Sequence, residues 1–103
     1  MNLDKYKWRL RLLVVITPSY KDKRYIFCRK KYQEHIKEFH KRHVKMVTYR
    51  KKTEIFRKHL VGFDGEIKHI YDKLNVTTIF KAIDKMPLAK LMKQYPHIKP
   101  TNL

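Results

Sequence analysis

Leu10 to Thr17 is a near-continuous apolar run, with Val14, Val15 and Ile16 side by side. β-branched residues fit a pleated backbone, and a run apolar on both parities suits a strand covered on both faces. Pro18 ends the strand, since it cannot donate to a central ladder. Asp22 is placed to cap a helix, its carboxylate accepting from free amides two or three residues on. From there Tyr25, Cys28, Tyr32, Ile36 and Phe39 recur at steps of +3, +4, +4 and +3. At about 100° per residue they form one apolar stripe, which predicts a helix ending near Arg42. Lys23, Lys30, Glu34, Lys37 and Lys41 fall on the opposite side, and Ile26 and Phe27 fit neither face.

Val44–Tyr49 alternates as a second strand, parallel to the first, with the helix as a right-handed crossover. Arg50–Glu54 reads as a short polar connection. Phe56–Phe63 and Glu66–Tyr71 then flank Asp64-Gly65, a pair suited to the positive φ angles of a type I′ hairpin turn. Thr77–Met86 reads as a closing helix with Ile79, Phe80 and Ile83 inward, stopped by Pro87. A short helical turn over Leu88–Tyr95 and a polar tail from about residue 96 complete the expectation. The order β-α-β-β-β-α is a reduced thioredoxin-like α/β arrangement. It predicts one domain over residues 1–103, a four-stranded mixed sheet with helices on both faces.

Composition adds one strong feature. Lys and Arg number 26 against 9 Asp and Glu, a formal charge of +17. Such a surplus resists compaction and attracts polyanions, although a Lys-rich composition would decorate every surface in the same way. A hydrophobic fraction of 43 % supports a real core, which separates the chain from basic disordered tails. The single cysteine cannot form an internal disulfide. Lys5, Lys7, Arg9 and Arg11 precede the apolar run, but Leu12 to Ile16 is shorter than the roughly 7–15 residues of a signal core. No stretch approaches the roughly 20 apolar residues of a membrane span, so the expectation is an intracellular protein.

Several segments together resemble a known family. They are Trp8 to Ser19, then Asp22 and Arg24, the hairpin Leu60-Val61-Gly62-Phe63-Asp64-Gly65-Glu66-Ile67-Lys68, and Ile83-Asp84-Lys85-Met86-Pro87. In these the chain is similar to the P-DUDES family, peroxiredoxin-like, thioredoxin-fold domains of unknown function that include equarin and the sushi-repeat proteins. The resemblance implies the fold and brings no agreed activity with it.

Thioredoxin-like redox sites lie where the first strand turns into the first helix, with two thiols spaced Cys-x-x-Cys and the leading one acidified by the helix N-terminus. The corresponding segment, Thr17 to Arg24, has no cysteine, and Arg50–Phe56 lacks the proline that precedes the third strand in redox-active members. Catalysis is therefore not expected, and no cofactor is implied. Cys28 sits on the apolar stripe, where cysteines behave as small hydrophobes. A degenerate redox role for Cys28 is the alternative, and it requires an exposed, reactive thiol.

The same first turn suggests an anion site. Ser19, Lys21, Lys23 and Arg24 surround a helix N-terminus, whose free amides and partial positive charge suit a phosphate. Lys30, Lys37 and Lys41, with Lys31 and Arg42 beside them, continue the basic face, and Arg50, Lys51 and Lys52 extend it if the connection lies at the same end. Tyr20 and Phe27 are the aromatics left over from the core for base stacking. Histidines do not converge for metal binding: His35, His40 and His43 are out of phase, and strand alternation puts His59 and His69 on opposite faces. The expected function is a non-catalytic domain that binds polyanions, nucleic acid above all, through backbone charge. The further alternative is an interaction module for an acidic protein.

Overall fold

The structure is a computed structural model that describes residues 3–52 and 56–86. Four strands form one sheet in the order β2-β1-β3-β4: β1 Arg11–Thr17, β2 Val44–Arg50, β3 Arg57–Val61 and β4 Ile67–Tyr71. β1 is central, parallel to β2 and antiparallel to β3. Its apolar residues on both parities are explained by two cores. Leu13 and Val15 face one side with Val44 and Leu60, while Leu12, Val14 and Ile16 face the other with Val61. The β-α-β-β-β-α order and mixed sheet are those of a reduced thioredoxin-like fold.

Helices α1 (Lys23–Glu34), α2 (Ile36–Lys41) and α3 (Val76–Asp84) all pack on the first core, through Cys28, Phe39, Ile79 and Ile83. The second core meets Leu3 and Tyr6 of the short 3-10 helix Asp4–Tyr6. Helical cover on the two faces is thus unequal among the described residues. Asp22 caps α1 as expected, its Oδ1 accepting from the Arg24 amide at 2.8 Å. Asn75 caps α3 by accepting from the Thr78 amide at 3.1 Å.

Three local expectations need correction. The helix expected to run to Arg42 breaks at His35, which leaves helical backbone at φ −113°, ψ 25°. No Gly or Pro marks the break. Beyond it Phe39 is fully buried, its ring 4.8 Å from Tyr32 and 4.8 Å from Phe80 of α3, so the short second helix is held by packing. The hairpin turn is not type I′, because Asp64 does not have positive φ and Gly65 does, at 80°. Gly65 donates to the Gly62 carbonyl and Gly62 donates to Glu66, both at 3.0 Å, which is a type I turn closed by a glycine bulge. The third helix begins one residue earlier than expected and ends at Asp84. His59 does pair with Ile70, but the register shifts between Leu60 and Val61. The expectations at Pro87, over Leu88–Tyr95 and for the tail lie outside the described residues.

Candidate polyanion-binding surface

Parallel pairing brings two basic segments to one end of the sheet. Thr17 and Arg50 are register partners, and the Lys51 amide donates to the Thr17 carbonyl at 2.9 Å. Arg50-Lys51-Lys52 therefore leaves β2 beside the loop that joins β1 to α1. That loop is held by its own small side chains. Thr17 Oγ1 donates to the Ser19 carbonyl at 2.8 Å, and Ser19 Oγ accepts from the Lys21 amide at 3.0 Å. Lys21, Lys23, Arg24, Arg50, Lys51 and Lys52 are all exposed. Two rings stand with them in solvent, Tyr20 at 53 % and Phe27 at 49 % exposure. The Arg50 guanidinium lies 5.9 Å over Tyr20 and the Lys31 ammonium 5.6 Å over Phe27.

The other sequence-predicted cations divide by what holds them. Arg42 is a tie between helices: it donates to Asp84 of α3 at 3.0 and 3.1 Å and to Glu38 at 3.0 Å, and stacks 4.1 Å over Phe80. A phosphate at Arg42 would have to compete with these carboxylates. Lys31 pairs with Glu34 at 3.4 Å and Lys41 with Glu38 at 3.2 Å. Arg24 is gripped by Asp22 at 3.0 and 2.8 Å, an attraction that holds the Asp22 carboxyl down to about 2. The same carboxylate occupies the Arg24 amide, the second of α1, as the predicted cap. Lys21, Lys23, Lys30, Lys37, Lys51 and Lys52 form no ion pair with a described residue. The break at His35 puts Lys37 and Lys41 on a different helix from Lys23 and Lys30, so the single straight basic face is also corrected.

Cys28 is 2 % exposed on the inner side of α1. Burial pushes its thiol up from the ordinary value, with Lys58 pulling the other way and not prevailing. A raised, covered thiol is the opposite of the acidified, accessible one that exchange chemistry needs. Among the described residues, no group of three His, Cys, Asp or Glu could hold a metal ion, and no helix is long and apolar enough to cross a membrane.

Two buried cations escaped the sequence reading, Arg11 at 1 % and Lys58 at 5 % exposure. Both had a signal in the alternation. Arg11 shares the parity of Leu13 and Val15, and Lys58 that of Leu60, all facing the helices. Lys58 Nζ donates to the Asp72 carbonyl at 2.6 Å, and the Arg11 guanidinium donates to the Arg42 carbonyl at 2.7 Å.

No curated protein and no solved structure matches the chain. A family model, described as a domain of unknown function (DUF4174), matches residues 2–55. That segment carries β1, α1, α2 and β2, and with them the whole basic end of the sheet. With just over half of its 103 residues matched, the chain belongs to the DUF4174 family.

Proposed function

We propose that this domain binds polyanions, with the nucleic-acid backbone as ligand, through the basic end of the sheet. The supporting observation is the meeting of Arg50-Lys51-Lys52 with Lys21 and Lys23 beside two exposed rings. Cations without acidic partners can neutralise phosphates with no pair to break first. Exposed Tyr20 and Phe27 favour a single strand, whose unstacked bases can lie on them. Redox use of Cys28 gains no support from a buried thiol.

The test is a titration of labelled single- and double-stranded nucleic acid at roughly 50 and 200 mM salt, where several phosphate contacts shift affinity by orders of magnitude. Micromolar or tighter binding at the higher salt is expected, with single strands preferred. Reversing Lys21, Lys23 and Lys51 to Glu together should flatten the salt slope by about one per lost phosphate contact. Absence of binding at the higher salt refutes the reading, and stoichiometric binding to an acidic protein alone would replace it with the interaction-module alternative.

A further inference from the structure

An open groove of about 530 Å³ lies between the first turn of α1 and the adjoining ends of β3 and β4. That volume is within the roughly 300–1,000 Å³ of small-molecule sites. Its lining has two characters. Lys23, Arg24, Lys58 and Lys73 supply positive charge, while Phe27, Phe56 and Leu74 supply apolar and aromatic wall. Asp72 is the single acid in the lining, and the Asp72 contact with Lys58 is made by its backbone carbonyl.

Lys58 is the informative residue. An ammonium carries three N–H donors. Here one reaches the Asp72 carbonyl, and the other two have no acceptor among the described residues. The amine lies 5.1 Å from the centre of the Phe56 ring, and the Arg24 guanidinium 4.9 Å from the same ring. No carboxylate of a described residue pairs with Lys58. A buried charge without a counter-ion is expensive unless something else satisfies it. Pairing requires an anion, and the walls around that anion are suited to a flat ring.

We propose that this groove binds a small phosphorylated aromatic compound, of the chemical class of a nucleoside monophosphate. Lys58 takes the phosphate with Lys73 at the rim, and the ring lies against Phe27 and Phe56. The groove shares Lys23 and Phe27 with the polyanion surface, whereas Lys58 and Lys73 belong to the groove alone and Lys21, Lys51 and Lys52 do not line it. The Lys58 and Lys73 variants therefore test the groove without touching the polyanion surface.

The probe is AMP, titrated by calorimetry and by amide NMR shifts. Saturable one-to-one binding is expected, with shifts centred on Cys28, Lys58 and Leu74. Inorganic phosphate and adenosine should each bind at least about tenfold more weakly, since each offers half of the recognition. Lys58→Met keeps the buried stem and removes the charge, and should lose about tenfold or more in affinity, the worth of one charged hydrogen bond. Lys73→Glu, on the exposed rim, should weaken AMP in a background whose fold is not in question. Lys81→Glu makes the same charge change outside the groove and should leave AMP binding as it is. No saturation by about 10 mM AMP overturns the proposal, because so weak a contact is no site. Equal affinity for phosphate and AMP overturns the aromatic half, and wild-type binding by both Lys58→Met and Lys73→Glu overturns the anchor.

Discussion

Replacing Arg11 tests what a fully buried charge does for this fold. Its guanidinium stacks 4.3 Å over Phe63 and donates once, to the Arg42 carbonyl, while Nε and Nη2 have no partner among the described residues. Burial lowers Arg11 from its ordinary value to about 10, with Asp84 opposing the shift. That displacement corresponds to about 3 kcal/mol against the charged form in the folded state. The hydrogen bond and the stacking return about 2–3 kcal/mol between them. The charge therefore breaks roughly even. Arg11→Met removes the penalty and keeps a long side chain on Phe63, so its stability should stay within about 1 kcal/mol of the wild type. Arg11→Lys keeps a buried charge and loses the planar stack, and should lose about 1–2 kcal/mol. Urea unfolding at pH 7 reads both, alongside melting temperatures that move about 4 °C per kcal/mol in a domain of this size. The ordering is decisive. If Arg11→Lys holds wild-type stability while Arg11→Met falls by more than about 2 kcal/mol, the charge itself supports the fold and the balance above is wrong.

Two further outcomes follow from backbone and titration. Gly65 has φ 80°, and a Cβ there would meet only ordinary contacts, the nearest being Lys7 Cδ at 3.6 Å. Gly65→Ala should therefore lose about 1 kcal/mol from backbone strain alone, read as a lower urea midpoint with unchanged slope; no loss would mean the turn readily adopts another form. His43 is held below its ordinary value of 6.5 by burial and by the nearby Arg11 charge. The unfolded chain then takes up its proton first, so stability is complete above about 6.5 and falls as pH drops toward the lower folded value. His43→Asn, which tolerates the left-handed backbone at φ 58°, should make the loss between pH 7.5 and 5.5 shallower. His59, also lowered by burial, leaves a residual slope, and identical slopes in both proteins would refute the assignment.

The fold was legible wherever one local rule acted alone. Leu10–Thr17 reads as a central strand because both parities are apolar, and Asp22 reads as a cap because its side chain serves the next turn. The break at His35 was not legible, since the stripe from Tyr25 to Phe39 keeps helical spacing straight through it. Beyond the break Phe39 packs on Phe80, some forty residues away, a contact that sequence spacing does not register. The candidate surface was legible in composition and illegible in arrangement. Nothing in the order of residues marks Arg42 as a tie to Asp84, whereas the parallel strands already implied that Lys51 leaves the sheet at the end where Thr17 does. Arg11 and Lys58 were hidden by habit more than by physics, because their parity already placed them among Leu13, Val15 and Leu60.

The charge surplus can be separated from its composition by asking where the acids are used. Asp22, Glu34, Glu38, Asp64 and Glu66 each pair within four residues, and Asp84 reaches across the fold to Arg42. With nine acids against 26 cations, no folding of this chain could neutralise the rest. Counter-ions or a ligand must do so, and the two leave opposite marks. Self-repulsion makes the free protein more stable as salt screens it, whereas a phosphate complex weakens as salt rises. Reversing Lys21, Lys23 and Lys51 relieves repulsion, so it should raise the melting temperature at low salt while it weakens nucleic-acid binding. Reversing Lys5, Lys45 and Lys81 changes the total charge by the same amount, away from the basic end of the sheet. If both triple variants lose binding equally, attraction depends on the number of charges alone and no surface is defined. A loss confined to the first means that the parallel pairing of β1 and β2 turns a compositional surplus into a located site.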